Sequence, residues 1–200
     1  MLIASSGRPL RTVGLIAFAM LLTSPARAQS VVPERPAPPV VQIKTNVGTI
    51  AVELWPDKAP RTVNNFLRYV RSGFYDGTIF HRVIKGSVIQ GGGLTEDLSA
   101  KPTRKPIKLE TNGRHEKLTI GMARGEQPNT ATSQFFINLD RNSSYDDAYA
   151  VFGRVVKGNA IVDQIARAPV RRHSNVLSHL PVNAIVIEKV SILPPGEQPQ

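Results

Sequence analysis

The chain has no cysteine. That excludes disulfides, thiolate zinc sites and thiol catalysis, and it is compatible with an oxidising compartment. Acids are scarce, with 15 Asp and Glu against 25 Lys and Arg. Three of those arginines, Arg8, Arg11 and Arg27, lie in the first 28 residues, which hold no acid at all. Without that segment the balance is 22 against 15, a mild excess that requires no nucleic acid to explain it. No aromatic-plus-basic RNA motif and no phosphate-cradling glycine loop before a helix is present, so no nucleic-acid partner is expected. The four histidines, His81, His115, His173 and His179, share no ligand spacing. No metal site and no cofactor are therefore expected. There is no internal repeat.

Residues 1–28 carry the pattern of a secretory signal peptide. Arg8 and Arg11 form a positive start, Val13 to Leu22 a short apolar core, and Ala26-Arg27-Ala28 a small-x-small site. The apolar run is too short to span a bilayer comfortably, so cleavage after Ala28 is favoured over an uncleaved anchor. The leader has no Arg-Arg pair, which favours the general export route over the twin-arginine one. The expected destination is the periplasm or the medium, with no stable membrane insertion after cleavage. Residues 29–39 (QSVVPERPAPP) hold four prolines and read as an extended linker.

The rest of the chain, 40–193, reads as one domain followed by a disordered tail at 194–200. Val40 to Thr45 and Thr49 to Trp55 flank an Asn-Val-Gly turn and predict a hairpin. Pro60 to Arg71 predicts a helix with Val63, Phe66, Leu67 and Val70 on one stripe, Pro60 in its first turn and Gly73 at its end. Leu94 to Thr111 reads as loop, with Lys101, Arg104, Lys105 and Lys108 as solvated surface. Asn112-Gly113 reads as a turn. Leu118 to Arg124, Gln134 to Leu139 and Ala150 to Val156 predict strands. Asn159 to Arg167 predicts a second helix with Asn159 as N-cap. Pro169 to Pro181 reads as a basic irregular loop, and Ala184 to Leu193 as a last strand. About eight strands and two helices fit a mainly β fold: a closed antiparallel barrel with its open ends capped by the helices.

The most informative stretch runs from Phe80 to Gly93 (FHRVIKGSVIQGGG). It reads as a strand, a Lys85-Gly86 turn and a second strand ended by the Gly triplet. Simple alternation puts Phe80, Arg82 and Ile84 on one face, His81 and Val83 on the other. Arg82 and Gln90 are then polar groups in half-buried apolar strands. By itself that is as consistent with a barrel-edge ion pair and a strand filler as with function.

Tyr75, Thr78, Phe80-His81-Arg82, Gly86 and Gln90-Gly91-Gly92 resemble the signature of the cyclophilin-type peptidyl-prolyl isomerases. Met122-Ala123-Arg124 with Ala131 to Ile137 resembles that family's second block, and Ala150 to Val156 its third. The resemblance implies an eight-stranded antiparallel barrel over residues 40–193. It implies catalysis by Arg82 and Gln90, and a substrate groove containing Phe80, Val88, Ala123, Arg124, Gln134, Phe136, Tyr145 and Tyr149. Its implied partners are proline-containing peptides; with the leader, unfolded exported proteins are the expected clients, and a monomer is expected. The chain departs from the pattern at Ser87, where the family has Phe, at Val88, often Met, and at Ser144 in an aromatic's place. Those reduced apolar contacts favour a second reading, a non-catalytic proline-peptide-binding or chaperone module on the same fold. Arg82, Gln90 and Phe136 favour the isomerase.

The leader generates the first prediction. Mass spectrometry of the native protein is expected to find its N-terminus at Gln29. An intact Met1 in a soluble cytoplasmic fraction would reject export.

Overall fold

The computed structural model describes residues 2, 37–111, 113–175 and 177–199. The leader expected over 1–28 (Leu2 apart), residues 29–36 of the expected linker, and Asn112 of the expected turn lie outside them. Strand β1, Val40–Thr45, alternates as its sequence does: Val41, Ile43 and Thr45 are buried. The Thr45 hydroxyl donates to the Gly48 carbonyl at 2.6 Å and so closes the turn into β2, Gly48–Leu54. Helix α1, Pro60–Arg71, starts without a side-chain cap from its own N-cap residue, Ala59. The carboxylate of distant Glu110 substitutes. It accepts from the Arg61 and Thr62 N–H groups at 3.1 and 2.9 Å and from the Thr62 hydroxyl at 2.7 Å. A negative charge at that end satisfies orphan donors and complements the helix dipole. Gly73 ends the helix with φ of 64°, its N–H on the Val70 carbonyl.

Six more strands close the barrel: β3, Thr78–Ile84; β4, Val88–Thr95; β5, Thr119–Met122; β6, Phe135–Asn138; β7, Ala150–Lys157; and β10, Val186–Ile192. All pairings are antiparallel, in the order β1-β10-β3-β4-β6-β5-β7-β2. Helix α1 follows the end of β2. Its Phe66 meets Phe135 at the start of β6 and Phe152 near the start of β7. Helix α2, Asn159–Ala166, follows the end of β7, and its Ile161 lies over Gly48 at the start of β2. In an antiparallel barrel those are opposite ends, so each helix closes one. The interior is filled: Phe66, Tyr75, Phe80 and Phe135 make tilted and edge-on contacts with centroids 5.1–5.9 Å apart. Burying each such ring stabilises by about 1.5–3 kcal/mol, and the edge geometry adds to that.

Several sequence expectations are corrected. The Gly triplet does not end β4, which continues to Thr95 through a break in register between Thr78 and Phe80 of β3. Gly92 bends there with φ of 79°, and a Cβ on it would lie 2.8 Å from both the Tyr75 and Phe135 rings. The N-cap of α2 is Gly158, φ 90°, and not Asn159; the Gly158 carbonyl receives the Ile161 and Val162 N–H groups. The segment expected to be irregular from Pro169 to Pro181 contains a two-stranded ribbon, β8, Val170–Arg171, against β9, Leu180–Pro181. Lys101 is anchored rather than merely solvated: its ammonium donates to the Phe74 and Asp76 carbonyls at 2.6 and 3.1 Å. In the tail, Glu197 N–H closes a turn on the Pro194 carbonyl.

The largest correction lies in β3. Phe80 pairs with Gly91 and Arg82 pairs with Gln90, so His81 is an extra residue, a bulge. The bulge reverses the alternation. Phe80 and Arg82 therefore lie on opposite faces, with Phe80 fully buried against Phe135 inside the barrel. His81 is itself buried, and its Nδ1 has no hydrogen-bond partner.

Burial, aided by the adjacent Arg82 charge, pushes the His81 pKa down to about 4. An unfolded histidine titrates near 6.5, so below that pH the unfolded chain binds the extra proton first. The contribution is fully present above pH 6.5 and is lost as pH falls toward 4. It amounts to about 3 kcal/mol. Urea unfolding of the parent and of His81→Leu across pH 7 to 4 is expected to show a steeper loss in the parent. Parallel profiles would reject a buried neutral His81.

Candidate active site

One row of residues crosses four strands on the outer face of the barrel. Arg82 of β3 is paired with Gln90 of β4, Gln90 with Phe136 of β6, and Phe136 with Gly121 of β5. Since facing residues in adjacent strands stand side by side, this register places a guanidinium, an amide and an aromatic ring in sequence. The fourth place has no side chain. A Cβ on Gly121 would sit 2.3 Å from Phe136 Cζ, so the ring occupies the space above Gly121.

The row is held by side-chain hydrogen bonds. Gln134 Oε1 accepts from Gln90 Nε2 at 2.9 Å, and Gln90 Oε1 accepts from Arg82 Nη1 at 3.0 Å. Among the described residues no carboxylate pairs with Arg82. The guanidinium is thus oriented without being neutralised. Arg82 and Gln90 are both half-buried, open to the groove on one side.

Around the row lies a shallow cavity of about 120 Å³ lined by Arg82, Val88, Gln90, Ala123, Arg124, Phe136, Tyr145 and Tyr149. Phe136 is its floor, with both tyrosine rings edge-on to it at 5.7 and 5.5 Å. Tyr145 stands next to exposed Ser144, on the one-turn 3-10 segment Ser143–Tyr145. It supplies the edge ring that Ser144 cannot. Arg124 is fixed to the Ala148, Gly125 and Glu126 carbonyls and lies over the Tyr149 ring at 5.0 Å. The Ala123 N–H is paired with the Gln134 carbonyl, which ties this rim to β6. A larger hollow of about 640 Å³ lies between Trp55, Lys58 and Arg154. It is lined mainly by charged and polar side chains and lacks an apolar floor beside an oriented donor.

The structure therefore brings together every residue expected in the groove except two. Phe80 is in the core, for the reason given by the bulge. Gln134 stands behind Gln90 and touches the groove through it. Ser87 also lies off the groove lining: its carbonyl receives the Leu139 N–H at 2.7 Å and the Asn142 amide at 3.1 Å. One member was not legible as such. His115 is fully buried and stacked on Phe136 at 5.5 Å, with an interplanar angle of 21°. No spacing in the sequence connects position 115 with 136, 145 and 149; only the barrel does.

The family model described as cyclophilin type peptidyl-prolyl cis-trans isomerase/CLD matches residues 40–192. A peptidyl-prolyl cis-trans isomerase of Streptomyces antibioticus is 46% identical over 166 residues, covering 76% of this chain and 98% of its own. One of Acinetobacter baylyi is 42% identical over 193 residues, covering 92% of this chain and 97% of its own. Among solved structures, a Cryptosporidium parvum cyclophilin-type isomerase determined in the presence of the dipeptide Ala-Pro superposes with a TM-score of 0.70 at 29% identity, covering 78% of this chain and 99% of its own.

Gly121→Ala tests the rung. The added methyl must displace the Phe136 ring, an overpacking of the kind that costs about 1–3 kcal/mol. A roughly tenfold fall in kcat/KM on an Ala-Pro peptide is expected, with the fold retained by circular dichroism. Parent activity with an unmoved Phe136 in NMR contacts would reject the ring as groove floor.

Proposed function

The chain belongs to the cyclophilin-type peptidyl-prolyl cis-trans isomerase family, and from that premise we propose that Arg82 drives X–Pro isomerisation in extended segments of exported client proteins. The activity is that of the family: it is a peptidyl-prolyl cis-trans isomerase. The observation that carries the residue roles is the Arg82 guanidinium, oriented by Gln90 beside the Phe136 floor.

The X–Pro amide resists rotation because its nitrogen is conjugated, with a barrier of about 18–20 kcal/mol. In the twisted state the nitrogen loses conjugation and becomes a better hydrogen-bond acceptor. A guanidinium aimed at it binds the twisted state more tightly than the planar one, which is what lowers a barrier. Phe136, with Val88 and the tyrosine edges, grips the proline ring while the preceding carbonyl swings. Gln90 keeps Arg82 in place, and its amide can hold a substrate backbone group by hydrogen bond. No covalent intermediate is needed.

The client class follows from the leader. Its order of positive, apolar and small-residue regions supports export to the periplasm, where a monomer acting on unfolded proline-containing chains assists folding. No helix among the described residues is long and apolar enough to cross a membrane.

Arg82→Ala is expected to lower kcat/KM on an Ala-Pro peptide by about 100–1000-fold with the fold intact, the usual loss for a transition-state donor. Arg82→Lys is expected to rescue poorly, since a point charge does not reproduce the planar fork. A folded Arg82→Ala variant working at the parent rate would sink the mechanism. A parent that binds the peptide without accelerating exchange would establish the binding-module reading instead.

A further inference from the structure

Beneath the groove floor runs a buried polar chain that catalysis as described does not use. Asn142 Nδ2 donates to Asn138 Oδ1 at 2.9 Å, and Asn138 Nδ2 donates to His115 Nδ1 at 3.1 Å. On its other side, His115 Nε2 meets the Tyr149 carbonyl at 3.2 Å. A carbonyl only accepts, so Nε2 carries the proton and Nδ1 is bare. Asn138 is further fixed by the Thr119 hydroxyl and carbonyl at 2.9 and 3.2 Å. Both Asn138 and His115 are fully buried.

The same imidazole is in ring contact with all three aromatic walls of the groove. It stacks on Phe136 and lies edge-on to Tyr145 at 5.7 Å and Tyr149 at 6.4 Å. Its backbone is locked too: His115 N–H donates to Asp146 Oδ1 at 2.8 Å, and its carbonyl accepts from Asn142 N–H at 2.9 Å. From these contacts we infer that His115, in its neutral Nε2–H tautomer, is a positioning residue that sets the proline-gripping surface through Phe136, Tyr145 and the Tyr149 backbone. The inference rests on the groove assignment made above.

Protonation would undo the arrangement. A proton on Nδ1 turns the acceptor for Asn138 into a donor facing a donor, and places a cation under Phe136 in a dry site. Burial holds the His115 pKa below its ordinary value. The charged groups nearest it are Asp146, on its backbone, and Arg141, which pairs with Asp146 and Glu116. The other groups packed against it are Asn138, Thr119, Phe136, Tyr145 and Tyr149. Peptide affinity should therefore fall as pH drops through the lowered His115 pKa, beneath the ordinary histidine range.

The test measures Ala-Pro peptide binding by calorimetry and exchange rate by NMR, from pH 7.5 to 5, for parent, His115→Ala and His115→Phe. His115→Ala is expected to bind about tenfold more weakly, the scale of lost ring contacts, with bound-state exchange little changed. His115→Phe keeps a ring in place; it should recover part of the affinity and lose the pH dependence. Nitrogen-15 shifts of the parent imidazole at pH 7 should report a protonated Nε2 and a bare Nδ1. The opposite tautomer, parent-like binding in either folded variant, or superimposable pH profiles of parent and His115→Phe would each overturn the inference. A parent without isomerase activity in the same assay would sink the functional reading instead, and the tautomer and binding arms would still decide the role of His115.

Discussion

The register between β3 and β4 decides everything at the groove. One extra residue, His81, lets Phe80 point into the barrel and Arg82 point out of it. Without the bulge, strict alternation would put the two on one face. Either the core would lose a ring packed on Phe135, or the guanidinium would be driven inside among aromatics. Bulges bend a strand and re-aim a side chain, and here that re-aiming is what joins a dry interior to the candidate groove outside it. The structure accepts a cost for it: His81 is buried with an unpartnered Nδ1, which stays tolerable only while the ring is neutral.

From that register the groove follows by simple adjacency. Arg82, Gln90, Phe136 and Gly121 are neighbours across four strands. Each comes from a different strand, and each needs only to be in step with the next. A closed barrel supplies the rigidity: no member sits on a free edge, and the rim residues Arg124 and Tyr145 are tied to backbone carbonyls or to other rings. That is the arrangement expected of a site built on strands rather than on loops.

How much of this was readable in the sequence depends on the range of the interaction. The hairpin at Val40, the α1 stripe and the alternation in β7 are local patterns, and they appear where periodicity puts them. Arg82, Gln90 and Phe136 were legible through a family signature rather than through physics, since a half-buried arginine alone is ambiguous. The face of Phe80 was misread because a bulge leaves no mark in hydrophobic alternation. The N-cap of α2 was misplaced because a glycine with positive φ, not a side chain, turns the chain there. His115 was invisible as a groove residue for a different reason. Its partners are long-range in sequence, and a lone histidine offers no spacing to read.

Among the described residues no carboxylate pairs with Arg82, and that is what the proposed electrostatic role requires. A carboxylate at hydrogen-bond distance would orient the guanidinium well, yet it would also cancel much of the positive potential beside the Phe136 floor. Gln90 supplies an oxygen of similar reach with no net charge. Its own amide nitrogen is in turn held by Gln134, so the orientation does not depend on a flexible side chain alone. A neutral relay of two glutamines therefore separates two demands that a salt bridge would merge: it fixes the direction of the donor and leaves its charge uncancelled.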